Sequence, residues 1–189
     1  MSNKLTFALS LALGLGAASL AQAGFIGKTV TGEHLYPDLS SPYETYNAAV
    51  GGGTEFTFIN MDGDSSTNDY TVDVSDTGLV ITMLFQSGWL PDTFNGFHLF
   101  DVNSTIDAIT GVSVAVNNWT GFDAASRITF NANNIWVNFE SLDFAPQDSV
   151  SLTVSFDTVQ PPPPGVPEPA TLALLGLGLL GLGAMRRKS

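Results

Sequence analysis

Val150-Ser151-Leu152-Thr153-Val154-Ser155-Phe156 is the stretch that decides the fold class. Apolar and hydroxyl-bearing side chains alternate over all seven residues, which is the period of a β-strand with one face buried and one in water. The same period recurs upstream. Ile135, Val137 and Phe139 alternate with Trp136 and Asn138, and Val112, Val114 and Val116 alternate with Ser113, Ala115 and Asn117. Tyr70, Val72 and Val74 alternate with Thr71, Asp73 and Ser75, and Phe56 and Phe58 with Glu55 and Thr57. Ile128 and Phe130 lead into Asn131-Ala132-Asn133-Asn134, a hairpin signal because asparagine tolerates positive φ. Phe94 to Phe100 is a further aromatic strand, and Leu79 to Phe85, a nearly continuous apolar run, reads as a strand buried on both faces. Between Phe25 and Asn47 the punctuation by Gly27, Gly32, Pro37 and Pro42 predicts loops with one or two short strands. No stretch of residues 24–160 keeps a helical period for three turns. Eight or so short strands without intervening helices predict an all-β fold, an antiparallel β-sandwich of jelly-roll-like form.

Composition narrows the function classes. The chain has 189 residues, room for one domain plus signals, and no cysteine, so thiolate chemistry and disulfides are excluded. The formal net charge is -12, and between Gly24 and Gln160 the acidic residues face only Lys28 and Arg127. Such a surface repels nucleic acid, so no nucleic-acid partner is expected.

Both ends read as signals. Residues 1–23 combine Lys4, an apolar stretch and Ala21-Gln22-Ala23, the pattern of a secretory signal helix with its small-x-small cleavage site at Ala21 and Ala23. The predicted domain spans residues 24–160. It is followed by a Pro-rich linker over 161–169, an uncharged apolar segment over 170–185, and the basic tail 186–189. The apolar segment would make about 24 Å of helix. That is shorter than the roughly 30 Å hydrocarbon core, so it reads as a single transmembrane helix that crosses only with thinning or snorkelling. Arg186, Arg187 and Lys188 would hold the tail in the cytoplasm with the domain on the exported side. Gly176, Gly178 and Gly181 match the dinucleotide fingerprint by letter alone, since no strand precedes them and no acidic residue follows.

Candidate chemistry is sparse. Asp62, Asp64 and Asp69 lie in the densest polar cluster, where Asp62, Asp64 and Ser66 have the i, i+2, i+4 spacing of oxygen ligands for calcium. Thr67 stands where a calcium loop needs glycine and Asp73 where it closes on glutamate, and a solvated hairpin loop accounts for the same composition. His34 and His98 lack partners at zinc-ligand spacing, and no Gly-x-Ser-x-Gly elbow is present. The many acidic residues permit carboxylate pairs for glycoside hydrolysis without showing one. Among Trp89, Trp119 and Trp136, the last two stand where an exposed indole would stack on a sugar ring. Burial in the core is the competing reading for each of the three.

Val166-Pro167-Glu168-Pro169, the Leu/Gly run after it and Arg186-Arg187-Lys188 resemble the PEP-CTERM sorting signal of Gram-negative bacteria. The resemblance implies recognition and cleavage near Pro167-Glu168-Pro169 by an exosortase. It further implies a transient inner-membrane intermediate, then release to the cell surface or outside the cell in bacteria that make exopolysaccharide. The expected role is therefore a non-enzymatic surface or matrix component without a cofactor, with exosortase and exopolysaccharide as partners. The alternative is a carbohydrate-binding module or a weak glycan-acting enzyme.

Overall fold

The computed structural model describes residues 23–59 and 67–157. Ala21, Asp62, Asp64, the linker with Val166, Pro167, Glu168 and Pro169, the segment 170–185, and Arg186, Arg187 and Lys188 lie outside the described residues. Among the described residues, no helix is long and apolar enough to cross a membrane.

In chain order the strands are β1 (Thr29–Leu35), β2 (Pro42–Ala49), β3 (Thr54–Ile59), β4 (Asn68–Ser75), β5 (Gly78–Met83) and β6 (Ser87–Gly88). They continue with β7 (Gly96–Phe100), β8 (Ile109–Asn117), β9 (Ile128–Asn131), β10 (Asn134–Asn138), β11 (Asp143–Phe144) and β12 (Ser149–Phe156). One helical turn, α1 (Ala124–Arg127), precedes β9 and is capped by the Asp123 carboxylate, which accepts the Ala125 N–H. Two antiparallel five-stranded sheets result, ordered β2-β1-β7-β10-β9 and β3-β4-β5-β12-β8, with β6 and β11 paired separately. Consecutive strands mostly stay together, as in the hairpins β1–β2 and β9–β10 and the meander β3–β4–β5.

The alternating residues meet between the sheets, so the all-β reading holds where the period was clean. Val150, Leu152 and Val154 of β12 are at most 2% exposed, and Ile135, Val137 and Phe139 are fully buried in the same core. Phe58 stacks on Tyr70 within its own sheet at 4.5 Å and meets Phe97 of the other sheet edge-on at 5.8 Å. Each such side chain contributes roughly 1.5–3 kcal/mol by leaving water.

Three local readings need correction. β5 is not buried on both faces: Leu79, Ile81 and Met83 point inward, whereas Val80 is 39% exposed. The segment read as loops with short strands contains β1 and β2, seven and eight residues long. Gly32 interrupts the apolar pattern of β1 for a packing reason. A Cβ there would stand 3.0 Å from the Phe56 ring of the opposite sheet, so glycine lets that ring close on the backbone. β2 is an edge strand exposed along most of its length, and therefore shows no alternation. The asparagine hairpin does join β9 to β10, but none of its residues has positive φ. Instead Asn131 Oδ1 accepts the Asn133 N–H at 3.0 Å and the Asn134 Nδ2–H at 2.8 Å, a side chain closing the turn in place of backbone.

Carboxylates tie down the sheet edges. Glu44 Oε2 accepts the Ile59 N–H at 3.1 Å, linking β2 to β3, and Glu55 accepts from Gly51 N at 3.0 Å and Val74 N at 2.6 Å. Burial pushes the Glu44 pKa up against the lowering effect of that Ile59 bond, and the nearby Asp69 charge adds to the rise.

Candidate functional site

Where β1 ends and β7 begins, Leu35 pairs with Gly96 and Gly96 with Asn138. At this end of the first sheet a cavity of about 170 Å³ opens, lined by His34, Tyr36, Tyr43, Gly88, Trp89, Leu90 and Asn95. His34 is fully buried because it shares the inward face of β1 with Val30 and Gly32. Burial drives its pKa down from 6.5 to about 3, against the opposing effect of its bond to Asn95, so the ring is neutral at any ordinary pH.

Neutrality and the neighbouring donors fix the tautomer. Asn95 Nδ2 donates to the Leu90 carbonyl at 3.1 Å, which leaves Asn95 Oδ1 as acceptor for His34 Nε2–H at 3.0 Å. Nδ1 of the ring is then the acceptor, and the fully buried Tyr70 donates its O–H to it at 3.1 Å. The result is a one-way chain of donors from Tyr70 through His34 and Asn95 to the Leu90 backbone. It pins the loop between β6 and β7 to the core.

Trp89 forms the apolar wall. It stacks on His34 at 5.1 Å and 19°, and packs on Phe139 and Phe144. Its indole N–H is buried without an acceptor among the described residues. A buried donor left in that condition costs about 1–3 kcal/mol. The indole nitrogen has essentially no accessible surface, so this donor does not open on the cavity.

A second polar and aromatic feature lies on the outer face of the same sheet. Glu33, His98, Trp136 and Thr129 stand side by side on β1, β7, β10 and β9. The His98 ring is stacked between Phe100 at 4.5 Å and Trp136 at 4.9 Å, with interplanar angles of 11° and 5°. Its Nδ1 lies 3.1 Å from Glu33 Oε2 and its Nε2 2.9 Å from Asn134 Oδ1. Trp136 remains half-buried, with part of its ring in solvent.

The other predicted site residues fall apart spatially. Trp119 is 2% exposed and its indole donates to the Asp143 carbonyl at 2.8 Å, so it presents no face to a sugar, contrary to the stacking role expected for it. It follows β8 and packs on Phe122 and Phe139. Asp69 lies within β4 and is 1% exposed. No three His, Asp or Glu side chains are placed to hold a metal ion among the described residues. A wide, shallow groove carries Asp143 and Asp148 near Gly121 and Leu142. There Asp148 Oδ2 accepts the Ala145 N–H at 2.8 Å and so closes its own loop.

The His34 cavity is the feature that sequence reasoning missed. The available signal was a polar residue at an inward position of β1, visible only once that segment is recognised as a strand. The pairing of His98 with Glu33 joins residues 65 apart, which no local spacing shows.

Comparison with known proteins adds one finding. No curated protein and no solved structure matches the chain. The family model that does match describes the PEP-CTERM protein-sorting motif and covers residues 165–188. Those residues include Val166-Pro167-Glu168-Pro169, the apolar Leu/Gly run and Arg186-Arg187-Lys188, all three parts in their order, so this chain is a β-sheet protein that carries a PEP-CTERM sorting motif.

Proposed function

We propose that this chain is an exported protein, processed at its sorting motif by an exosortase and delivered to the cell surface or extracellular matrix. There the sandwich plays a non-enzymatic structural or interaction role in an exopolysaccharide-associated envelope. The motif over residues 165–188 carries this reading, because it supports export by exosortase-type sorting. The transmembrane segment is on this view transient: an uncharged segment of 16 residues is short for a permanent anchor and suited to a processing intermediate. Intact-mass measurement of the surface-located protein tests it. The expected mass lacks the residues after the Pro167-Glu168-Pro169 region, and retention of Arg186 to Ser189 would refute the processing step.

A second reading, a carbohydrate-binding module, is favoured by the outer face of the first sheet. There Trp136, partly buried and held flat on His98, offers the kind of aromatic surface that sugar rings stack on. A glycan-binding screen with Trp136→Ala as comparison tests it, and binding unchanged by that substitution would remove Trp136 from the reading. We assign no resident cofactor to either role. Running the same screen with and without calcium tests a calcium site at Asp62, Asp64 and Asp69.

A further inference from the structure

The two sides of the sandwich are finished differently. On one side, where β2 and β3 are the outer strands, carboxylates occupy the edges: Glu44 ties β2 to the Ile59 N–H, and Glu55 accepts from Gly51 and Val74. On the other side stand β8 and β9, and neither strand contains a charged residue or a proline. β8 is nine residues long and has β12 as its one sheet neighbour among the described residues. It therefore presents a row of backbone N–H and C=O groups along its free edge. Its register with β12 shifts at Thr110 and at Ala115, which leaves Gly111 to Val114 as a regular centre and sets Val116 opposite Ser151. An apolar groove of about 360 Å³ runs beside this edge, lined by Val112, Val114, Ala124, Ile128 and Phe130. Phe130 is 41% and Val116 62% exposed, so large apolar side chains stand in water along this side.

We propose that β8 pairs antiparallel with β8 of a second copy of this chain, joining two five-stranded sheets into one continuous sheet and bringing the two apolar grooves to the seam. A twofold pairing is self-complementary, because each copy offers the same open edge. Charge selects this side of the molecule. Between residues 24 and 160 the acidic residues face only Lys28 and Arg127, so two copies repel wherever acidic surfaces approach. On β8 and β9 there is no charge to repel; Asp107 precedes β8, Asp123 caps α1, and Arg127 is held by the Asn138 and Glu140 carbonyls. The size is adequate. A strand of nine residues extends about 30 Å, and two sheets about 10 Å apart make, with their side chains, a side roughly 20 Å wide. About 600 Å² per copy, or about 1,200 Å² in all, is the lower bound of specific interfaces and suits a weak dimer. The pairing does not depend on the sorting step.

The chain has no cysteine, so a single introduced thiol reports only on contact between copies. The test uses the full-length chain in detergent micelles, with its protein mass followed by light scattering between about 1 and 100 µM. The expected result is a dimer that grows with concentration. Opposite residues of an antiparallel pair lie about 4.5–5.5 Å apart, within disulfide reach. Ser113→Cys or Ala115→Cys, at exposed positions near the middle of β8, should therefore give a linked dimer under mild oxidation, whereas Thr93→Cys, exposed in the loop before β7, should not. Ser113→Asp combined with Val116→Asp sets like charges across the seam and should raise the dissociation constant at least about 10-fold. Its urea midpoint, measured where both proteins are monomeric, should match the wild type and so separate lost pairing from lost folding. Val80→Asp, an exposed position on β5, should leave the dimer as it was. A chain that stays monomeric at the highest concentration would overturn the proposal. So would a dimer that survives the double substitution and gives no β8 disulfide, since its contact would then lie elsewhere, as in the apolar segment 170–185. Linking at Thr93→Cys as ready as at the β8 thiols would mark random collision and overturn it too.

Discussion

Acidification should weaken this protein through His34, and the size of the effect follows from its burial. In the folded state the ring holds its proton only near pH 3, while in the unfolded chain it titrates near 6.5. Between those values the unfolded state binds a proton that the folded state refuses. Stability from this group is therefore complete above about pH 6.5, falls as pH drops, and is exhausted near pH 3. The slope for one proton is about 1.4 kcal/mol per pH unit, so the loss between pH 6.5 and 5 is about 2 kcal/mol. Against a total stability of roughly 5–15 kcal/mol that is a measurable share. Glu44 and Asp73, both held above the usual carboxylate range mainly by burial, act with the opposite sign. The readout must therefore be a difference. Urea unfolding followed by tryptophan fluorescence at several pH values from 7.5 to 5, at constant ionic strength, is run on the wild type and on His34→Gln. Subtracting the two curves should leave a line of about 1.4 kcal/mol per pH unit below pH 6.5 and a plateau above it. Parallel curves through that window would show that His34 takes up its proton in the folded state, and the assigned Tyr70–His34–Asn95 donor chain would be wrong.

Other perturbations probe the packing. Gly96→Ala places a Cβ against the Val137 carbonyl oxygen in the middle of the first sheet, and should cost about 3 kcal/mol, seen as a lower urea midpoint with an unchanged slope. Gln147→Gly relieves a left-handed backbone at φ 74° on an exposed loop; it should stabilise by up to about 1 kcal/mol and raise Tm in calorimetry. Trp119→Phe deletes the bond to the Asp143 carbonyl while keeping an aromatic ring, and should cost roughly 1–2 kcal/mol by the same urea assay. Asn131→Ala removes the side chain that closes the β9–β10 turn, and should cost about 1 kcal/mol, with faster amide exchange at Asn133.

Strands were legible where burial is one-sided, because only then does the chain alternate in a way that composition reveals. β12, β10 and β4 meet that condition and were read correctly with their inward faces. β2 does not, since water touches both of its faces, and β1 hides its period behind Gly32 and His34, residues placed by what the opposite sheet and the end cavity require. The turn at Asn131 was found through a residue preference whose usual cause, positive φ, is not the cause here. The tryptophans show the sharper boundary. Trp136 faces outward as its strand parity demands, whereas Trp119 lies beyond the end of β8, where parity lapses and only the tertiary path of the chain decides burial. The cavity lay beyond reach for the same reason, being assembled from β1, β2, β6 and the loop before β7.

Charge placement bears on what the β-sheet domain can hold. Within residues 24–160 the only Lys and Arg are Lys28 and Arg127, and the Arg127 guanidinium is spent on the Asn138 and Glu140 carbonyls at 3.2 and 2.9 Å. The basic cluster that balances part of the acidic charge belongs to the sorting motif. A protein processed there would lose that cluster and keep its carboxylates, several of them engaged with backbone N–H groups at sheet edges and turns, as Glu44, Glu55 and Asp148 are. An anionic polymer would meet repulsion over most of such a surface and no compensating basic patch. Partners therefore divide into cations, attracted by the general field and released by salt, and neutral ligands, which must be held by aromatic contact and hydrogen bonds. Among the described residues, aromatic side chains gather at the end cavity and on the Trp136 face, and both are features of the second kind.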